Sequence, residues 1–155
     1  MAGASVGIML VLAACTPDEL TPSPEPSVPA TASAEPSAEP TPAGPVLVPE
    51  GSAADNLPLF AALTQEVWAG EDRASGRAYI DALTAAGFDK TAMQVTEDRS
   101  TVGNPAESIQ FSVRWGDEEC LIGQVGPSTG EPVTAVMPQL ADGRCLIGST
   151  RPIDW

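Results

Sequence analysis

Residues 16–50 limit what this chain can fold into. Of these 35 positions ten are Pro, eight Ser or Thr, five Ala and five Glu, and none is Lys or Arg. Ser33-Ala34-Glu35-Pro36 repeats directly as Ser37-Ala38-Glu39-Pro40. Such a stretch has too little apolar surface to offset the entropy of ordering it. Proline removes backbone donors and favours extended polyproline geometry, at about 3.1 Å per residue and so roughly 100 Å at full stretch. The segment reads as a disordered linker, with O-glycosylation of its Ser and Thr residues as a compatible addition. What is left for a core is residues 51–155, enough for one small domain.

Ahead of the linker, Val6 to Leu12 form a short apolar run followed at once by Leu12-Ala13-Ala14-Cys15. A spanning helix needs about 20 apolar residues, and Thr16-Pro17-Asp18 stops this one early. The run fits a secretory signal over residues 1–14, with small residues before the cleavage point. The LAAC tetrapeptide resembles the lipobox of bacterial lipoproteins. That resemblance implies that Cys15 takes a diacylglyceryl group and becomes the first mature residue, anchoring the chain to a membrane from outside. Residues 1–14 contain no Lys or Arg. Export signals normally begin with positive charge, so a start upstream of Met1 is favoured.

Seven Lys and Arg against 21 Asp and Glu give a net charge of −14, and there is no His. So acidic a chain repels nucleic acid phosphates, and nucleic acid is not expected as a partner. Without histidine, Ser-His-Asp and Cys-His machinery and His-ligated metal sites are excluded.

Within 51–155 the period of the apolar residues changes midway. Asn56 suits a helix N-cap, Pro58 a first turn and Gly70 the far end, with Leu57, Phe60, Leu63 and Val67 on one face. A second helix fits Ser75 to Ala86, with Tyr79, Leu83 and Ala86 on one stripe and Gly87 closing it. From Ala92 the period is two. Met93 and Val95 form a short strand, Ile109–Trp115 the strongest, and Cys120-Leu121-Ile122 the next. Val133 to Met137 and Arg144 to Gly148 complete the set. A turn over Gly116 to Glu119 would set Trp115 opposite Cys120 and Val113 opposite Ile122. Ile109, Phe111, Val113, Trp115, Cys120 and Ile122 would then face the core. The expected class is α+β: two helices on one face of an antiparallel sheet of three to five strands.

With Cys15 assigned to lipid, Cys120 and Cys145 remain, each opening a Cys-Leu-Ile-Gly tetrapeptide. In an oxidising compartment they are expected to form a structural disulfide between neighbouring strands. Inward cysteines would turn Leu121, Val125 and Leu146 to the outer face of the sheet. Pro152 to Trp155 could fold across that face. Otherwise Leu121, Val125, Leu146 and Trp155 form a candidate partner surface.

No cofactor and no metal site is expected. Asp117-Glu118-Glu119 reads as a solvated turn rather than a calcium loop, and Gly123-Gln124-Val125-Gly126 lacks the helix and Lys-Ser/Thr pair of a phosphate loop. The segments WGDEECLIGQVGP (115–127), ADGRCLIG (141–148) and STRPIDW (149–155), behind the lipobox and linker, resemble a family of actinobacterial lipoproteins. Its C-terminal region is a domain of unknown function. The likeness spans about residues 55–155 and implies a cell-surface location and a disulfide, without catalytic residues to carry over. A fainter similarity, Ala82 to Phe88 and the Gln124…Pro127…Gly130…Val133 turn, is to the PASTA domains that bind peptidoglycan. The expected function is a non-catalytic module of the cell envelope that meets another envelope protein or a wall component. The alternatives are a peptidoglycan-binding module distantly like PASTA and, after it, a carboxylate-based hydrolase.

Overall fold

Ser52 starts the first helix. Its hydroxyl accepts from the Asp55 N–H (3.2 Å), and Asp55 Oδ2 accepts from the Ser52 N–H (2.8 Å). This reciprocal box satisfies two of the free donors at a helix start. The computed structural model describes residues 44–126 and 130–155, and in it α1 runs Ala53–Ala69. The expected cap, Asn56, lies inside the helix and is fully buried. Its amide clamps the incoming chain instead, accepting from Val48 N–H at 2.8 Å and donating to Val48 O at 2.9 Å. Leu47 packs against the core, so the folded unit reaches back past Gly51.

The second helix, α2, covers Gly76–Ala85, one residue short of the expectation at either end. Gly87 takes φ +98°, the Phe88 N–H reaches Leu83 O and the Gly87 N–H reaches Thr84 O. That is a left-handed helix stop, and Phe88 turns back into the core. At the other end, a Cβ on Gly76 would sit 2.6 Å from Val95 Cγ2, so only glycine lets α2 begin this close to the sheet.

Four strands follow: β1 Met93–Val95, β2 Ile109–Trp115, β3 Glu119–Gly126 and β4 Gly130–Pro138. They form an antiparallel sheet in the order β1-β2-β3-β4. α1 packs over β3 and β4, α2 over β1 and β2, so both helices cover one face.

The β2–β3 hairpin differs from its expected register by one residue. Trp115 pairs with Glu119, Val113 with Leu121 and Ile109 with Val125. The turn is the three residues Gly116 to Glu118, with Gly116 at φ +57°. Because side chains alternate, a slip of one reverses the whole strand. Leu121 and Val125 therefore join Ile109, Phe111 and Val113 in the core, while Cys120 and Ile122 face the other way. Phe111 stacks on Tyr79 with centroids 4.5 Å apart and lies 5.7 Å from Phe60. Gly123, opposite Phe111, makes room for that ring, since a Cβ there would come within 2.3 Å of Phe111 Cζ.

Tyr79 is the chain's one tyrosine and is almost fully buried. Its hydroxyl donates to Arg73 O at 2.9 Å. Burial pushes the phenol up to about 12, against the opposing pull of Arg73. A raised folded pKa means stability present below the unfolded value of 10 and lost as pH rises toward 12. Tyrosinate absorbance is expected to titrate near 12 in the native protein and near 10 in denaturant. A native midpoint near 10 would contradict this burial.

The fifth expected strand, Arg144 to Gly148, does not form. Its backbone is held otherwise. Gln94 Oε1 accepts from the N–H of Cys145 (2.7 Å) and of Leu146 (3.3 Å). Arg144 binds Asp142 Oδ2 at 2.6 Å, and Gly148 takes φ +94°. The segment becomes a strap across the sheet rather than part of it.

Candidate functional site

The face of the sheet away from the helices carries Gln94, Ser112, Cys120, Ile122 and, on β4, Val133, Ala135 and Met137. Two covalent and polar ties bring the strap onto this face. Cys120 and Cys145 form the expected disulfide, with Cα atoms 5.7 Å apart, and Gln94 holds the two N–H groups named above. Beneath the strap Ser112 and Cys120 are fully buried, and Leu146 of the strap is 2% exposed. The disulfide joins a strand to a loop, not two adjacent strands.

Beyond Leu146 the chain turns past the β1 edge, where the Arg151 N–H donates to Val95 O at 2.9 Å. Arg151 Nη2 pairs with Asp98 Oδ2 at 2.9 Å, and Asp98 Oδ1 accepts from the Gly76 N–H at 2.7 Å. One carboxylate thus ties the strap to the start of α2. The segment ends on the helix side. Trp155 Nε1 donates to Asp81 Oδ1 at 2.8 Å, and Lys90 donates to the Trp155 carbonyl. Arg77, Lys90 and Arg151 lie 5.3, 5.3 and 5.4 Å from the Trp155 ring. Three cations on one indole, in so acidic a chain, make a firm clasp.

This arrangement corrects the candidate partner surface. Leu121 and Val125 are core residues at 0% and 1% exposure, because the three-residue turn places them on the helix side. Leu146 is buried because its own segment is the cover. Trp155 is half-buried in its cation cluster, away from the outer face. The structure brings no two of these four together as an exposed patch. Cys15, the expected lipid acceptor, lies outside the described residues, as do residues 1–14 and the linker through residue 43.

The outer face is left uncovered toward β4. Val133 is 64% and Met137 48% exposed, beside half-buried Ile122 and Ala135. Since β4 is the last strand in the sheet order, one of its edges has no strand partner among the described residues. Pro132 and Pro138 near its ends have no N–H to offer, a common guard on open edges. The period-two pattern of 133–137 could have indicated this patch. Gln94 carried no sequence signal beyond being the polar residue of a short strand.

The acidic turn Asp117-Glu118-Glu119 is largely exposed, as read from sequence. Glu119 also accepts from the Ala53 N–H at 3.4 Å, placing negative charge at the positive end of α1. Asp55, Asp89 and Asp142 are held below the usual carboxylate range, each first by a side-chain hydrogen bond from Ser52, Thr91 or Arg144 respectively. Among the described residues no three Cys, Asp or Glu side chains group as metal ligands, and no helix is long and apolar enough to cross a membrane.

A family model described as a domain of unknown function (DUF6993) matches residues 64–149. No curated protein and no solved structure matches the chain.

Proposed function

We propose that this chain, which belongs to the DUF6993 family, works as a lipid-anchored, non-catalytic interaction module on the outer side of an actinobacterial cell membrane. The LAAC sequence at residues 12–15, the linker and the resemblance to actinobacterial lipoproteins support the anchor and its side. The Cys120–Cys145 disulfide suits an oxidising compartment. The absence of histidine from the sequence supports a binding rather than a catalytic role. So does the local character of the shifted carboxylates among the described residues, each lowered by a neighbour two or three residues away.

The observation that carries the binding reading is the exposed pair Val133 and Met137 on the uncovered part of the sheet, beside the open edge of β4. An envelope protein or wall component would add apolar contact there, and an extended segment could also pair with the edge. The test is crosslinking in intact cells followed by mass spectrometry. Val133→Asp with Met137→Asp should keep the protein folded, since both side chains already meet solvent, and remove most of the crosslinked partners. An unchanged set of partners in the folded double variant would refute this surface. Cys15→Ser should abolish incorporation of labelled fatty acid, and persistence of the label would refute the anchor.

A further inference from the structure

We infer that a groove between α1 and α2 receives a basic amphipathic segment of a partner protein. The groove encloses about 520 Å³, within the roughly 300–1,000 Å³ usual for binding clefts. Its floor is apolar, formed by Leu63 and Val67 from α1 and by Ala78, Ala82, Ala85 and Ala86 on the α2 side. The small side chains of α2 leave the space that an inserted apolar residue would fill.

The lip of the groove is acidic. Glu66, Glu71 and Asp72 line it, and no Lys or Arg does. None of the three has a side-chain hydrogen bond or ion pair among the described residues. The position adds to the effect. The end of a helix carries partial negative charge, which cations normally offset. Here α1 has no basic residue in its last turn. Arg73, 5.7 Å from the Trp68 ring of that turn, is one cation against the three carboxylates Glu66, Glu71 and Asp72. Like charges gathered beside an apolar floor lower local stability without any internal gain, and a cationic partner with an apolar anchor relieves both.

The chain itself does not supply that partner. Residues 16–50 hold six acids and no Lys or Arg, so the linker has no cation to offer the lip. A second copy has few cations to bring. Arg77, Arg144 and Arg151 are ion-paired within the domain. Lys90 is bound to Trp155, Arg73 sits 5.7 Å from the Trp68 ring, and Arg99 donates to Gly103 O. That leaves Arg114, exposed and near enough to Asp89 to feel its charge, as a single cation against three carboxylates. Charge complementarity therefore selects a foreign basic segment. This inference is independent of the β4 surface, which lies on the opposite face of the sheet.

The test uses the full chain with Cys15→Ser and a labelled helical peptide of Leu at every third or fourth position and Lys between. The peptide should bind, shift the amide resonances of Val67, Ala78, Ala82 and Ala86, and weaken tenfold or more as salt rises from about 0.05 M to about 0.5 M. The same peptide with Glu for Lys should not bind. Glu66→Lys, Glu71→Lys and Asp72→Lys together should weaken binding at least tenfold. A control triple at exposed acids elsewhere, Asp117→Lys, Glu131→Lys and Asp154→Lys, raises the net charge equally and should change it less than twofold. Near-UV circular dichroism verifies that both triples fold, and Glu71→Lys alone stands in if the first does not. Equal losses in the two triples, or resonance shifts outside the groove, would overturn the inference. So would a dimer of the chain that occupies the groove and excludes the peptide.

Discussion

Leu121→Asp is expected to unfold the domain. Leu121 is fully buried against the helices, opposite Val113 and among Phe111, Val125 and their neighbours. A carboxylate placed there has no cation to meet and must either ionise in an apolar surround or take up a proton. Either course costs several kcal/mol on top of the lost apolar contacts. A small domain commands about 5–15 kcal/mol in all, so the variant should show no cooperative melt and little native signal at 25 °C. Ile122→Asp is the matched control. Ile122 is half-buried on the other face, and its variant should remain folded with a loss of about 1–2 kcal/mol. If Leu121→Asp melts like wild type, the hairpin register described above is wrong.

The second large effect concerns the staple. Cys145→Ser opens a cross-link spanning 25 positions, which on the loop-entropy account contributes about 3–4 kcal/mol. The loss should exceed that of an ordinary surface substitution several-fold and should be reproduced by reductant acting on the wild type. It should also have a local signature. The strap keeps two hydrogen bonds to Gln94 and the Arg151–Asp98 pair, so amide exchange is expected to rise first over residues 144–148 and at Ser112. A variant that loses stability evenly, with no preferential exchange in the strap, would show that the disulfide acts only through the unfolded chain.

The sequence was a good guide wherever a signal was local. The period of α2, its Gly87 stop and the alternation of Ile109 to Trp115 all predict what forms, because each depends on residues within a few positions of one another. The cysteine pairing was legible by elimination. What failed depended on one loop length. A four-residue turn and a three-residue turn over Gly116 to Glu119 look alike in composition, yet they put opposite halves of β3 in the core. Ile122 and Leu121 are equally apolar, so no hydropathy pattern could choose between them. The choice follows from Phe111, whose ring needs the empty position of Gly123 on the same face. The candidate surface inherited that error, and Leu121 and Val125 moved from partner contacts to core.

The last strand failed for a related reason. Arg144 to Gly148 repeats the apolar pattern of β3, but a strand also needs a partner edge. Gln94, 51 and 52 positions earlier, offers Cys145 and Leu146 one acceptor for two donors, a tertiary arrangement that composition does not reveal. Likewise Ser52 displaced Asn56 as the cap of α1 because Asn56 was required by Val48.

The clamp of Val48 on Asn56 has a directional result. It fixes where the chain comes into the folded unit, at the first turn of α1. The acidic lip stands at and just beyond the last turn of the same helix, which is 17 residues long and so roughly 25 Å along its axis. Anything that holds the protein by its leading end grips one pole of that rod, and the carboxylates crown the other. Reach and charge are thereby built into a single polarity, which a leash at the wrong end would invert.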